Sequence, residues 1–291
     1  MPLEHLVDTF NHRFSELGFE NGALLFDGQT VFGQFGTLRF SSQFRPIRQR
    51  FPVWSIKGHE AQPSPFSVAQ NASHSFETTS DWPQIISLDR LTRTVHMLNY
   101  LLLEPNETAL FLEVHYQHVL GVKRDHGAFF EDIIRRCGLP LQRIVISLTL
   151  APSLQNMSAI LIDRLKNYRE RGYGIAIRFD PRSDSSFIEH FRKHLLHRIA
   201  PDHLRFHGGL LLKAFPGREG LRRQQNLVKT IRGHDTLIHV THLSSNAELE
   251  NADYMGADWI EGRWLESISH HPRLAIGTES AERPMKSSRT G

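Results

Sequence analysis

The chain of 291 residues has one cysteine, Cys137, so it can form no disulfide within itself. It has no apolar run near the roughly 20 residues that a membrane-spanning helix needs. It has little excess charge, 34 Lys and Arg against 31 Asp and Glu, which supplies no dense phosphate-binding face. The first residues, Met1 to Phe14, hold no continuous apolar core, so no signal peptide is read there. No glycine-rich dinucleotide fingerprint follows any candidate strand, and there is no internal repeat. Together these point to a cytoplasmic protein with no membrane contact, no direct nucleic-acid contact and no resident cofactor.

What is present is an ordinary globular composition, 40% hydrophobic and 22% charged, with 18 histidines. Leu3, Leu6, Val7, Phe10, Phe14 and Leu17 recur at helical spacing. Ala23 to Phe26 and Thr30 to Phe32 flank Asp27-Gly28, a hairpin signal. A second strand pair is expected at Leu38 to Ile47 and Val53 to Glu60, followed by a polar loop over 61–82 and a helical stripe from Leu88 to Leu102.

From there strands and helices alternate. Strands are expected at Ala109 to Val114, Arg143 to Leu148, Gly174 to Phe179, His203 to Phe206, Leu237 to Thr241 and Trp259 to Ile260. Helices are expected at Gly127 to Cys137, Leu154 to Arg171, Asp184 to Leu196, Gly220 to Arg232 and Ala247 to Met255. Short apolar strands alternating with amphipathic helices imply parallel pairing, and about eight strands close a (β/α)8-type, TIM-like α/β barrel. A doubly wound open sheet is the alternative. The expected organisation is an N-terminal helix and hairpin over 1–36, a barrel over 37–276 and a disordered tail over 277–291.

Chemistry in such barrels sits at the C-terminal strand ends. The residues read there are Glu60, His115, Ser147, Arg178, Phe179, Arg205, His207, Thr241 and Glu261. Only two are carboxylates. A two-metal hydrolase needs several converging acids, and two arginines with two histidines add charge of the wrong sign.

The order of landmarks resembles an EAL domain, the family of cyclic di-GMP phosphodiesterases, from about Leu38 to Leu265. Phe44-Arg45-Pro46-Ile47 is similar to the family's strand ending in Gln-Pro-Ile. Gly58-His59-Glu60-Ala61 is similar to the Glu-Ala-Leu signature, with Gln62 for its Leu. His115 stands at the position of a metal-binding Asn and Ser147 at that of a ligand Glu. Arg178 and Phe179 replace the two Asp of the Asp-Asp-Phe-Gly segment, although Ser185-Ser186-Phe187 persists. Arg205 takes the catalytic Lys position and His207 an Asp position; Thr241 and Ser244 stand for glutamates and Glu261 for Gln.

The resemblance implies a barrel whose metal ligands and base are largely replaced, hence no catalytic residue and no metal. It further implies a regulator that acts through a protein partner in motility, biofilm or transcription control. The alternative is a non-hydrolytic cyclic di-GMP effector gripping phosphate through Arg178 and Arg205. Against that, Arg178 is expected to pair internally with Asp180, Glu60 or Glu261. Hydrolysis is the least favoured reading. The remaining features have plain readings: Cys137 as a small apolar residue, the histidines (His194, His197, His203, His239, His242) as hydrogen-bonding groups, and Arg218, Arg222 and Arg223 as a solvated helix face.

Overall fold

The computed structural model describes residues 2–19, 22–49, 54–65, 81–103, 107–122 and 127–265. The chain begins with α1 (Leu3–Glu16), β1 (Gly22–Phe26), β2 (Val31–Phe35), β3 (Leu38–Gln49), β4 (Ser55–Pro65) and α2 (Trp82–Leu101). It continues through β5 (Ala109–Glu113), α3 (Tyr116–Gly121), α4 (Ala128–Arg136), β6 (Ile144–Leu150), α5 (Ser158–Glu170), β7 (Gly174–Phe179), α6 (Ser185–His194) and α7 (Leu196–Ile199). It closes with β8 (His203–His207), α8 (Gly208–Ala214), α9 (Gly217–Arg232), β9 (Leu237–Thr241), α10 (Asn246–Tyr254) and β10 (Trp259–Ile260).

Strands β3 to β10 form a closed eight-stranded barrel wrapped by helices, the fold class read from the sequence. Pairing is parallel from β4 through β10, because each of those strands is separated from the next by a helical crossover. β3 is the exception, antiparallel to both β4 and β10. Only residues 50–54 separate β3 from β4, too short for the crossover that parallel pairing needs.

The N-terminal hairpin continues this sheet, since β2 pairs with the first half of β3 and β1 with β2. Asp27 Oδ1 accepts from the backbone N–H groups of Gln29 and Thr30, and Gly28 takes φ 93°, which closes the turn. Gly33 has no substitute: a Cβ there would come within 2.5 Å of the Phe40 ring. Helices α1 and α2 cover this sheet through buried Leu6, Phe10, Phe14, Leu91 and Val95.

The loop expected over 61–82 is corrected in its first part. Residues 61–65 belong to β4 and pair with 40–44 of β3. Pro63 and Pro65 are tolerated because β4 has left β5 by then and is paired on one side only. The short helices α3 and α8 carry too few turns to leave a periodic signal. The tail over 277–291 lies outside the described residues.

Two asparagines finish what the strands leave open. Asn99 of α2, buried, accepts from Val31 N–H at 2.8 Å and donates to Val31 C=O at 2.7 Å. Asn11 of α1 does the same for Leu24 on the edge strand β1, at 2.7 and 2.9 Å. Each amide stands in for a neighbouring strand. Asn99→Ala leaves the buried Val31 N–H without its partner, while Val31 C=O keeps Ser41 Oγ, and should lower stability by about 1–3 kcal/mol. An unchanged urea midpoint would contradict this role.

Candidate functional site at the barrel mouth

Strand register decides which side chains reach the barrel interior, because successive residues point to opposite faces. Ile47, Phe111, Val145 and Ala176 fill the interior, with Ala109 and Trp259 packed against them. Counting two residues further along brings Glu113 of β5, Ser147 of β6, Arg178 of β7 and, just past β10, Glu261 to the inner face. Glu60, paired across β4–β5 with Phe111, joins them, as does Arg205, paired with Arg178.

These residues form one ion-paired network. Glu60 Oε1 accepts from Arg178 Nη2 at 3.1 Å and from Arg205 Nη1 at 3.0 Å. Arg178 Nη2 also donates to Glu113 Oε2 at 2.7 Å, and Thr149 Oγ1 donates to Glu113 Oε1 at 2.8 Å. Arg205 Nη1 donates to Ser147 Oγ at 3.1 Å and its Nη2 to Glu261 Oε2 at 3.3 Å. Arg45 Nη1 approaches Glu261 Oε1 at 3.7 Å from β3. The side chain of Arg205 is 0% exposed and that of Glu60 3%, whereas that of Glu113 is 51% exposed, so the network runs from the closed interior to the rim.

The two interior carboxyls hold different protonation states. Burial alone would raise Glu60, but Arg205 and Arg178 outweigh it and keep its carboxyl well below the usual range. Burial and the charge of Glu60 push Glu261 well above that range, against the opposing pull of the same arginines. Of this buried carboxyl pair, Glu261 therefore holds the proton. For Arg178, burial is outweighed by Glu113 and Glu60, and its guanidinium stays charged. The mouth thus gathers the guanidinium groups of Arg45, Arg178 and Arg205 around Glu60, Glu113 and the protonated Glu261.

Linkage gives a sign for each acid. Glu60 has a lowered folded pKa, so its contribution is present above about pH 4.3 and is lost as pH falls. Glu261 has a raised folded pKa, so its contribution is present below about pH 4.3 and is lost as pH rises toward the folded value. Glu261→Gln should consequently be neutral or stabilising at pH 7.5, whereas Glu60→Gln should cost about 2–4 kcal/mol there. Urea midpoints at pH 5 and 7.5 check both; equal losses at pH 7.5 would contradict the assignment of the proton.

Not every residue read at the strand ends joins this network. Phe179 follows Arg178 and points the other way, into the helix layer against Phe191 (5.1 Å) and Phe206 (5.2 Å). His115 lies past the end of β5 and caps α3, its Nδ1 accepting from Gln117 N–H at 3.3 Å. His207 caps α8 in the same manner, accepting from Gly209 N–H at 3.1 Å, and its ring stacks on His242 at 5.0 Å. Thr241 is buried, with Oγ1 3.4 Å from Phe206 C=O and 3.1 Å from His242 Nδ1. Asp180, expected as one partner for Arg178, pairs with Arg182 instead.

Glu113 and Thr149 are network members that sequence reasoning missed. The signal was available: Glu113 is two residues beyond Phe111, on the same face of β5. Below the network, His203 and His239 lie edge-on to Phe111. Burial pushes His203 down to about 3 and His239 well below its usual value, so both are neutral. Burial likewise pushes the Cys137 thiol up to about 12. Among the described residues no three or more His, Cys, Asp or Glu side chains are grouped so as to hold a metal ion, and no helix is long and apolar enough to cross a membrane.

No family model matches the sequence, and no curated protein matches it. Solved structures do match. YkuI of Bacillus subtilis, a protein with an EAL domain in complex with substrate c-di-GMP and calcium, superposes at TM-score 0.63 with 16% identity, over 78% of this chain and 54% of that one. BlrP1 of Klebsiella pneumoniae, in a manganese and c-di-GMP complex, gives TM-score 0.64 and 15% identity over 84% and 57%. A standalone EAL protein of Vibrio cholerae, in its c-di-GMP-bound form, gives 0.59 and 15% over 78% and 90%. This chain spans a little over half the length of YkuI and BlrP1. The closed eight-stranded barrel has the fold of these EAL domains.

Proposed function

We propose that this chain is a non-catalytic EAL-fold regulator that acts by binding another protein in c-di-GMP-related signalling, in the cytoplasm. The observation that carries the reading is the pairing of both mouth arginines. Arg178 and Arg205 each bridge two carboxyl groups, and both converge on Glu60. The residues here do not suit a pair of divalent cations. A metal at Glu60 would sit beside two guanidinium groups and would have to displace them, and repulsion between like charges in a buried setting is costly. Among the described residues Glu60, Glu113 and Glu261 are each ion-paired to an arginine, so none of these three is free to take a proton from an attacking water. A retained scaffold with neutralised acids suits a binding role.

The second reading, a c-di-GMP effector that does not hydrolyse, is favoured by the surplus of guanidinium over carboxylate at the mouth. Titration calorimetry with c-di-GMP, with and without Mg²⁺, separates the two. The regulator reading expects no heat at ligand concentrations of about 100 μM, since binding would have to break the ion pairs that hold both arginines. Micromolar binding that Arg178→Ala abolishes would favour the effector. Affinity capture from source cells should return a specific protein partner; capture of none would count against the regulator.

A further inference from the structure

Helices α6 and α9 enclose a groove of about 400 Å³ on the side of the barrel. Its floor is apolar: Ile188, Phe215 and Leu227 are buried there. Its walls carry Arg192 and Arg223. Arg192 is held in place by a two-pronged pair with Glu189 and by Thr230 Oγ1 at 3.2 Å. Arg223 is 60% exposed and, among the described residues, pairs with Glu219, at 3.4 Å, across one helical turn. Arg218 and Arg222 stand exposed on the outer ridge of α9, with no carboxylate partner among the described residues. The barrel mouth uses none of these residues.

We infer that this groove binds an acidic segment of a partner protein that inserts a large apolar side chain. The inference rests on the regulator reading and gives it a surface. The apolar floor calls for an aliphatic or aromatic anchor, and the volume is that of a small site. The exposed guanidinium groups of Arg218, Arg222 and Arg223 call for carboxylates, which such groups pair with two N–H donors at once. Two other occupants fit less well. A nucleic-acid backbone gains nothing from the apolar floor. A second copy of the chain, docked about a two-fold axis, would set Arg218, Arg222 and Arg223 against the same cations.

The test uses the full chain with the photo-crosslinking residue benzoylphenylalanine in place of Asn226, which lines the groove. Irradiation in the source cells and mass spectrometry of the linked peptide should return a partner segment with net negative charge and at least one large apolar residue. Arg222→Glu with Arg223→Glu, both on exposed positions, should keep the melting temperature and lower partner capture about ten-fold or more. A crosslink to this chain itself, to nucleic acid or to a segment without acidic residues would overturn the inference. So would a partner that the double variant still captures in full; the regulator reading would then survive and the groove would not. A wild-type chain that captures nothing would instead remove the regulator reading, and the groove with it.

Discussion

Arg205→Met should lower the unfolding free energy by about 3–5 kcal/mol, the usual cost of leaving a buried charge without its partner. Arg205 has 0% of its side chain exposed and reaches Glu60, Ser147 and Glu261. Methionine fills similar space but donates nothing, so Ser147 and both carboxyls lose a donor. The effect should depend on pH. In the wild type the arginines keep Glu60 ionised, and its contribution falls away below about pH 4.3. In the variant the Arg205 charge no longer opposes burial and the Glu60 pKa rises, so the gap to wild type should narrow in acid and widen toward pH 7. Adding Glu60→Leu removes a buried charge that then has Arg178 as its remaining cation, and should recover part of the loss, giving a coupling energy of about 1–3 kcal/mol in a double-mutant cycle. Additive losses would mean that Arg205 and Glu60 do not act as a pair.

The same network explains what could be read from sequence and what could not. β7, β9 and β10 lie where their apolar runs placed them, because each is short, buried on both faces and flanked by polar turns. The other barrel strands shift by a few residues at their ends. β4 shifts most, since Gln62, Pro63, Ser64 and Pro65 have loop chemistry but a strand environment. Proline lacks a donor, and one free edge makes that harmless.

For the site, the positions were legible and the orientations were not. Arg178 and Phe179 are neighbours in sequence, yet one enters the barrel and the other the helix layer, because the side-chain period of a strand is two. His115 resembled a ligand position but lies beyond the last paired residue of β5, where it serves as a helix cap. Glu113, two residues earlier, is the inward carboxylate. Applying strand parity from Phe111 would have found it. That Arg178 pairs inside the chain was expected; that Glu113 is one partner and Asp180 is not depends on packing that no linear pattern encodes.

The most direct test of the proposed function is turnover. Purified chain, incubated with c-di-GMP and Mg²⁺ or Mn²⁺ at pH 7.5 to 9, should yield no linear dinucleotide above the uncatalysed rate, while an active EAL phosphodiesterase run alongside converts it. Metal-assisted hydrolysis needs cations to clamp the phosphate and generate the attacking hydroxide, and here the two inward arginines occupy the acids that would hold them. A metal-dependent linear product that persists through repeated purification, and that disappears in Glu60→Ala, would contradict the account at its centre.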